Sequence, residues 1–427
     1  MNRADVEKFL KRISAKGMVM TLEPLLNLCK KLGNPQNNVP CVHIAGTNGK
    51  GSVLAMVCSV LENAGYRTGR FFSPKVFDDE PNLAVNGKAV QEEILNGIYE
   101  EIIPAFEDME KNGEETPTLF EVETLASLMC FQREKCDIAV VECGMGGRDD
   151  ATNIIDFNLV SAITAVGLDH TKFLGNTVTE IAENKSHIIK KGCTAVCLSQ
   201  EKDVVNIVKK RAEEQGCEFI LSGQGEVISD NGFSGQTFLY KGEEYSIPLV
   251  GKTQIKNATV AVEICKALDR KGFSLSEETI KSGLEKTKWH GRFEKIHESP
   301  LVVIDGAHNV QSAEVFRENV EKYLNERKIF LVMGILEDKQ YKDVVKILAP
   351  IAEEIFTYNV ENPRKLSSEK LAEECLQLSR AKALNTPGEA VISAINTAKE
   401  CDENCAVCAV GSFYSLNTIR KKFESTF

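Results

Sequence analysis

The sequence predicts an α/β protein. Its first part reads as a P-loop domain with a mostly parallel, doubly wound sheet and a small antiparallel flap; a smaller Rossmann-like α/β domain follows. Three observations carry this. Short apolar runs alternate with helical patterns along most of the 427 residues. Cys41 to Ala45 leads into Gly46-Thr47-Asn48-Gly49-Lys50-Gly51-Ser52 and then an apolar helical pattern, the order of a phosphate-binding loop. Lys50, Ser73, Glu142 and His170 all fall just past strand ends, where such sheets gather ligands.

The elements follow in order. Residues 2–33 have helical spacing and stop near Gly33-Asn34-Pro35. After the loop, a helix runs to Gly65, Arg70 to Phe72 is a strand, and a polar loop continues through Asn86-Gly87. Helices are expected over Gln91–Met109 and Thr118–Cys130, then strands over Asp137–Glu142 and Leu159–Val166. A helix over Val178–Lys190 and a strand over Cys193–Leu198 come next. Cys217 to Pro248 reads as a three-stranded flap, Gly251 to Leu268 as helix, and Thr287 to Phe293 as a loop with the single Trp. Near residue 298 the alternation restarts, with strands at Leu301–Ile304, Lys328–Met333, Ile355–Tyr358 and Cys405–Gly411. The domains are therefore placed at 1–297 and 298–427.

Composition narrows the class. Hydrophobic and charged contents of 43% and 26% are those of a globular protein, and 427 residues exceed one ordinary core. The net charge of −11, without a long Lys/Arg run, argues against nucleic-acid or anionic-membrane partners. No apolar signal core follows Met1 and no 18-residue apolar stretch occurs, so a cytoplasmic protein is expected. Nothing demands an oligomer, and a monomer is the expectation. The 14 cysteines are scattered and read as reduced core thiols. Cys401-x3-Cys405-x2-Cys408 has the spacing of a radical iron–sulfur site, but an apolar strand runs through it, which argues against a cluster loop.

The chemistry starts at the glycine loop. Its amides can turn inward on phosphate oxygens at a helix N-terminus; Lys50 would reach the β/γ-phosphates and Ser52 a Mg²⁺ ion. The common P-loop has Gly where Ile44 stands and lacks the intervening Gly51, so a ligand-free strand-to-helix turn is the alternative. Ser73, Glu142 and one imidazole would complete an oxygen-rich site. Taken singly, Glu142 reads as well as a solvated strand-end acid, His170 as a cap, and Lys185 as a solvated helix lysine.

GTNGKGS at 46–52, Ser73-Pro74, TLFEVET at 118–124, ECGMGGRDDATN at 142–153 and LDHTKFLGNT at 168–177 occur in this order. GKTQIKNATVAVEI at 251–264, WHGRFE at 289–294 and DGAHN at 305–309 complete the set. Over nearly its whole length the sequence resembles the folylpolyglutamate synthase/dihydrofolate synthase branch of the Mur ligase superfamily. The resemblance implies an ATP-dependent ligase joining L-glutamate to a reduced folate through an acyl phosphate, with dihydrofolate synthesis as a further activity. It implies that Thr47, Asn48, Gly49, Lys50, Gly51, Ser52, Asn257, Arg292 and Asp305 hold ATP. Ser52, Ser73, Glu142 and His170 would bind Mg²⁺; Lys185, carbamylated by CO₂, would help hold a second ion. Lys50, Lys185 and His308 are the implied catalytic residues, His308 facing the phosphate and the incoming glutamate.

The sequence departs from the family at Lys75, where His is usual, and at Pro81-Asn82, where Glu-Arg is usual. Asn184-Lys185-Ser186-His187 replaces Glu-Lys-Ala-Gly. These changes keep two alternatives open: a nucleotide-binding homologue without catalysis, and an amide ligase with another acceptor. A cell-wall Mur ligase would need a third, UDP-binding domain for which this layout has no segment.

Overall fold

The computed structural model describes residues 3–17, 21–401 and 404–426. Two helices open the chain, α1 (Arg3–Ile13) and α2 (Glu23–Lys31), where the spacing predicts one. Pro24 is the reason: lacking an N–H, it belongs in a first turn, so a new helix begins there. Residue 2 and residues 18–20 of the expected helix lie outside the described residues.

β1 (Cys41–Ala45) and α3 (Lys50–Asn63) come next, then β2 (Thr68–Phe71), β3 (Leu83–Val85) and β4 (Lys88–Ala89). The last two correct the expected loop. Asn86 (φ 50°) and Gly87 (φ 67°) form the left-handed pair of a two-residue hairpin. After α4 (Glu92–Lys111), α5 (Leu119–Arg133) begins at a capping box between Thr118 and Glu121. β5 (Ile138–Glu142), β6 (Asn158–Ile163), α6 (Thr171–Leu174), α7 (Val178–Ser186), β7 (Thr194–Cys197), α8 (Lys202–Glu214) and β8 (Glu218–Leu221) complete the first sheet.

Its order is β4-β3-β2-β5-β1-β6-β7-β8, parallel except at β3 and β4. β1 is central and buried at all five residues, and Ile44 pairs with Glu142, so their loops emerge side by side. α3 fills one face with Val53, Leu54, Val57, Val60 and Leu61, all fully buried. Each such side chain contributes about 2 kcal/mol by leaving water. β8 was expected in the flap; it instead extends the main sheet parallel to β7, because α8 supplies the crossover that parallel pairing needs. The antiparallel flap is β9 (Glu226–Asp230), β10 (Gln236–Tyr240) and β11 (Glu243–Ile247).

α9 (Lys252–Arg270) and α10 (Glu277–Glu285) pack on α3 and lead to the second sheet. That sheet holds β12 (Glu294–Glu298), β13 (Leu301–Ile304), β14 (Lys328–Met333), β15 (Glu354–Thr357), β16 (Arg380–Ala383) and β17 (Cys405–Val410), in the order β12-β13-β17-β14-β15-β16. Between these strands run α11 (Val310–Tyr323), α12 (Tyr341–Leu348), α13 (Ser368–Cys375) and α14 (Pro387–Glu400), and α15 (Phe413–Glu424) follows β17. β12 is antiparallel to β13, so the sheet starts at Glu294. Cys405 packs into one face of it and Cys408 into the other, so the two thiols cannot converge on one cluster. Among the described residues no helix is long and apolar enough to cross a membrane.

Candidate active site

A cavity of about 910 Å³ lies where the carboxyl ends of the central strands face the second sheet. The glycine loop forms its floor. Gly49 sits at φ 90°, and a Cβ there would lie 2.4 Å from Asn257 Oδ1; at Gly51 it would lie 2.5 Å from the Trp289 ring. Glycine is required at both positions by close approach. Ser52 Oγ and Asn257 Oδ1 are buried without a hydrogen-bond partner, an expensive state unless a ligand completes them. Lys50 Nζ stands 3.6 Å from Glu142 Oε1. Burial pushes the Glu142 carboxyl up, opposed by the charges of Lys50 and Arg292.

Lys185 reaches the same floor from α7, its Nζ donating to the Gly46 carbonyl at 2.9 Å. Burial, helped by the Lys50 charge, pushes its ammonium down to about 7. The altered neighbours sit otherwise. Asn184 is buried and its carbonyl accepts from Arg148 N at 3.0 Å, while His187 is half-buried and bonded to the Glu183 carbonyl. Ser73, on the loop after β2, borders the cavity next to Gly144. His170 holds φ 49° at the start of α6; burial, and then Lys339, push its imidazole down to about 4.

The opposite wall comes from the second sheet. Arg292 lies 4.4 Å from the Phe413 ring centre, its guanidinium over the face. The Asp305 carboxylate accepts the amides of Phe293 and Ala307, both at 2.7 Å, and burial pushes it up. His308 Nδ1 meets the Gly306 carbonyl at 2.7 Å; a carbonyl can only accept, so Nδ1 carries a proton and Nε2 faces Asp169 Oδ2 at 3.6 Å. Asp169 also accepts from Lys339 Nζ at 2.6 Å and Asn309 Nδ2 at 3.1 Å. Burial would raise its carboxyl, but His308 and Lys339 override this and hold it well below the usual range. Asn48 joins the walls further, donating to Gln311 at 2.8 Å and exchanging bonds with Asn309.

All the sequence-derived candidates thus border one cavity. Asp169, Lys339, Asn309, Gln311 and Trp289 were not singled out as site residues. Asp169 had a signal, its position beside His170 past a strand end. Lys339 had only the weak signal of lying past the end of β14, in a polar loop from Leu336 to Gln340 without a motif.

Among the described residues no group of three or more His, Cys, Asp or Glu side chains is arranged to hold a metal ion by itself. An ion here would rely on Glu142, hydroxyls, water and phosphate oxygens, which suits Mg²⁺ and not a soft metal. The unpartnered Ser52 Oγ fits that role.

Residues 44–265 match the Mur ligase middle domain and 291–413 the Mur ligase glutamate ligase domain. The dihydrofolate synthase/folylpolyglutamate synthase of Bacillus subtilis is 31% identical over 417 residues, 96% of each chain. The chain belongs to this branch of the Mur ligase family. Its fold agrees with solved members of the branch. Folylpolyglutamate synthase from Thermotoga maritima superposes with a TM-score of 0.83 at 30% identity, covering 99% of this chain and 96% of that one. The Mycobacterium tuberculosis folylpolyglutamate synthase complexed with ADP gives 0.89 at 27% identity, covering 98% of each.

Proposed function

We propose that this Mur-family ligase adds L-glutamate to a reduced folate such as tetrahydrofolate, consuming ATP, and that dihydropteroate is a second acceptor. The observation that carries the reading is the pairing of two walls across one cavity. A glycine loop with Lys50 and Glu142 faces Arg292, Asp305 and His308.

In this reading the amides of Thr47, Asn48, Gly49, Gly51 and Ser52, with Lys50, hold the ATP phosphates, and Asn257, Arg292 and Asp305 complete the nucleotide site. The folate carboxylate attacks the γ-phosphorus, the bond to the β,γ-bridging oxygen breaks, ADP leaves, and the carboxylate becomes an acyl phosphate, a far better acylating agent. The amine of glutamate then attacks that carbonyl and phosphate leaves. Both steps concentrate negative charge, which Lys50 and Arg292 stabilise from fixed positions. His308, its Nδ1 held by the Gly306 carbonyl, presents Nε2 to the cleft where the second step occurs.

Ser52, Ser73, Glu142 and His170 would hold Mg²⁺, and Lys185 as a carbamate would help hold a second ion. Magnesium would supply charge neutralisation at the phosphates. The lowered pKa of Lys185 supports the carbamate, since a neutral amine is the form that adds CO₂. We further place the enzyme in the cytoplasm as a monomer acting on small molecules, and divide it into two units, expected at 1–297 and 298–427, with the boundary moved to just before Glu294 so that strand β12 stays with the second sheet.

The test is ADP release from the purified chain with Mg-ATP and L-glutamate, comparing tetrahydrofolate, dihydropteroate and no acceptor. Release with both acceptors supports the bifunctional reading, and with tetrahydrofolate alone a dedicated polyglutamate-forming ligase. Silence with both, from protein that binds ATP, overturns it.

A further inference from the structure

We propose that Cys193 and Cys217 form a dithiol modification site that small-molecule disulfides convert to an intramolecular disulfide. Cys193 lies one residue before β7 and Cys217 one residue before β8. These strands are parallel and in register, Thr194 opposite Glu218, so the cysteines face each other where both strands begin. Neighbouring strands run about 4.8 Å apart, inside the Cα separation that disulfides span. The sulfurs are already 3.4 Å apart, and a small rotation about each Cα–Cβ bond brings them to bonding distance.

Access is asymmetric, as a two-step exchange requires. Cys193 is buried, whereas Cys217 is partly exposed; among the 14 cysteines only Cys401 is likewise partly exposed. The Cys217 thiolate attacks the incoming disulfide, forms a mixed disulfide and releases one thiolate. The Cys193 thiolate then attacks the Cys217 sulfur, closes the Cys193–Cys217 bond and releases the second. The two protons lost by the cysteines end on the two small thiols, and the small disulfide is the oxidant. In the reduced form the Cys217 thiol donates to the Lys190 carbonyl at 3.0 Å. Burial and the facing Cys193 push that thiol up to about 12, so exchange is slow and needs a disulfide in excess.

The bond would fasten edge strand β8, and the α8 crossover, to β7. It sits at the amino ends of these strands, away from the phosphate loop. A 24-residue separation would be closed, which restricts the unfolded chain.

The experiment treats the native full chain with excess glutathione disulfide, acidifies it and removes the small disulfide, then denatures it, blocks remaining thiols with iodoacetamide and maps the peptides by mass spectrometry, beside a sample denatured before treatment. The expected result is a cross-linked peptide pair carrying Cys193 and Cys217, two hydrogens lighter than the free pair and restored by dithiothreitol. In Cys193→Ala the product should stop at the glutathione adduct of Cys217. Three results would each overturn the proposal. Both cysteines could remain fully alkylated in the wild type, wild-type Cys217 could stop at the glutathione adduct, or the cross-link could appear only after denaturation.

Discussion

Lys339 Nζ meets Asp169 Oδ1 at 2.6 Å across the cleft, with both side chains less than a tenth exposed. The pair joins the loop that follows β6 to the loop that follows β14, so it reports whether the two sheets face each other. Removing one partner leaves the other charge buried and uncompensated, at a cost of about 3–5 kcal/mol to the closed arrangement. Lys339→Ala should therefore lower kcat/KM for glutamate by at least about 100-fold. Activity within twofold of wild type would remove the pair from the machinery.

Glu142 should be indispensable to turnover and dispensable to folding. Glu142→Ala takes away a buried carboxylate that faces Lys50, and glutamate-dependent ADP release should fall by about 10³-fold. The circular-dichroism spectrum should stay unchanged. Intact turnover would exclude Glu142 from the phosphate site.

Gly49→Ala tests the floor of the cavity. The alanine would have to hold a left-handed φ while its methyl presses on Asn257 Oδ1. Backbone strain alone costs about 1–3 kcal/mol, so the loop must shift and ATP affinity should drop by about tenfold or more. Calorimetric titration with ATP reads this directly, and an unchanged Kd would contradict the contact.

Lys185 has a pH signature. Its folded pKa of about 7 lies below the ordinary lysine value, so between these two values the unfolded chain binds more protons than the folded one. Stability must then rise with pH through that window, and the penalty of burying the ammonium is fully present below it. With CO₂ and divalent ions removed, the urea-unfolding free energy of wild type relative to Lys185→Met should improve by about 1–2 kcal/mol from pH 7 to pH 9. A flat difference would mean that Lys185 is not buried as an amine.

Much of this architecture was legible in one dimension because its signals are local. The buried strands of the first sheet are short apolar runs, the glycine loop requires residues without side chains at Gly49 and Gly51, and Thr118 with Glu121 writes its own helix start. What escaped were elements whose stability is not local. β16, Arg-Ala-Lys-Ala on an exposed edge, has no apolar face to read and exists because β15 supplies its hydrogen bonds. β8 could be assigned to the main sheet only by its partner β7, and β12 to the second sheet only by β13. The same holds at the cavity. Lys50, Ser52, Glu142 and His170 announce themselves by motif and strand-end position together, whereas Lys339, which also follows a strand, is singled out only by meeting Asp169, 170 residues earlier in the chain. Spacing and side-chain size already mark the glycine loop, the family and most strands in the sequence. Which charges face each other across the cleft was decided by tertiary structure alone, because a polar loop residue carries no local mark of the partner that folding brings to it.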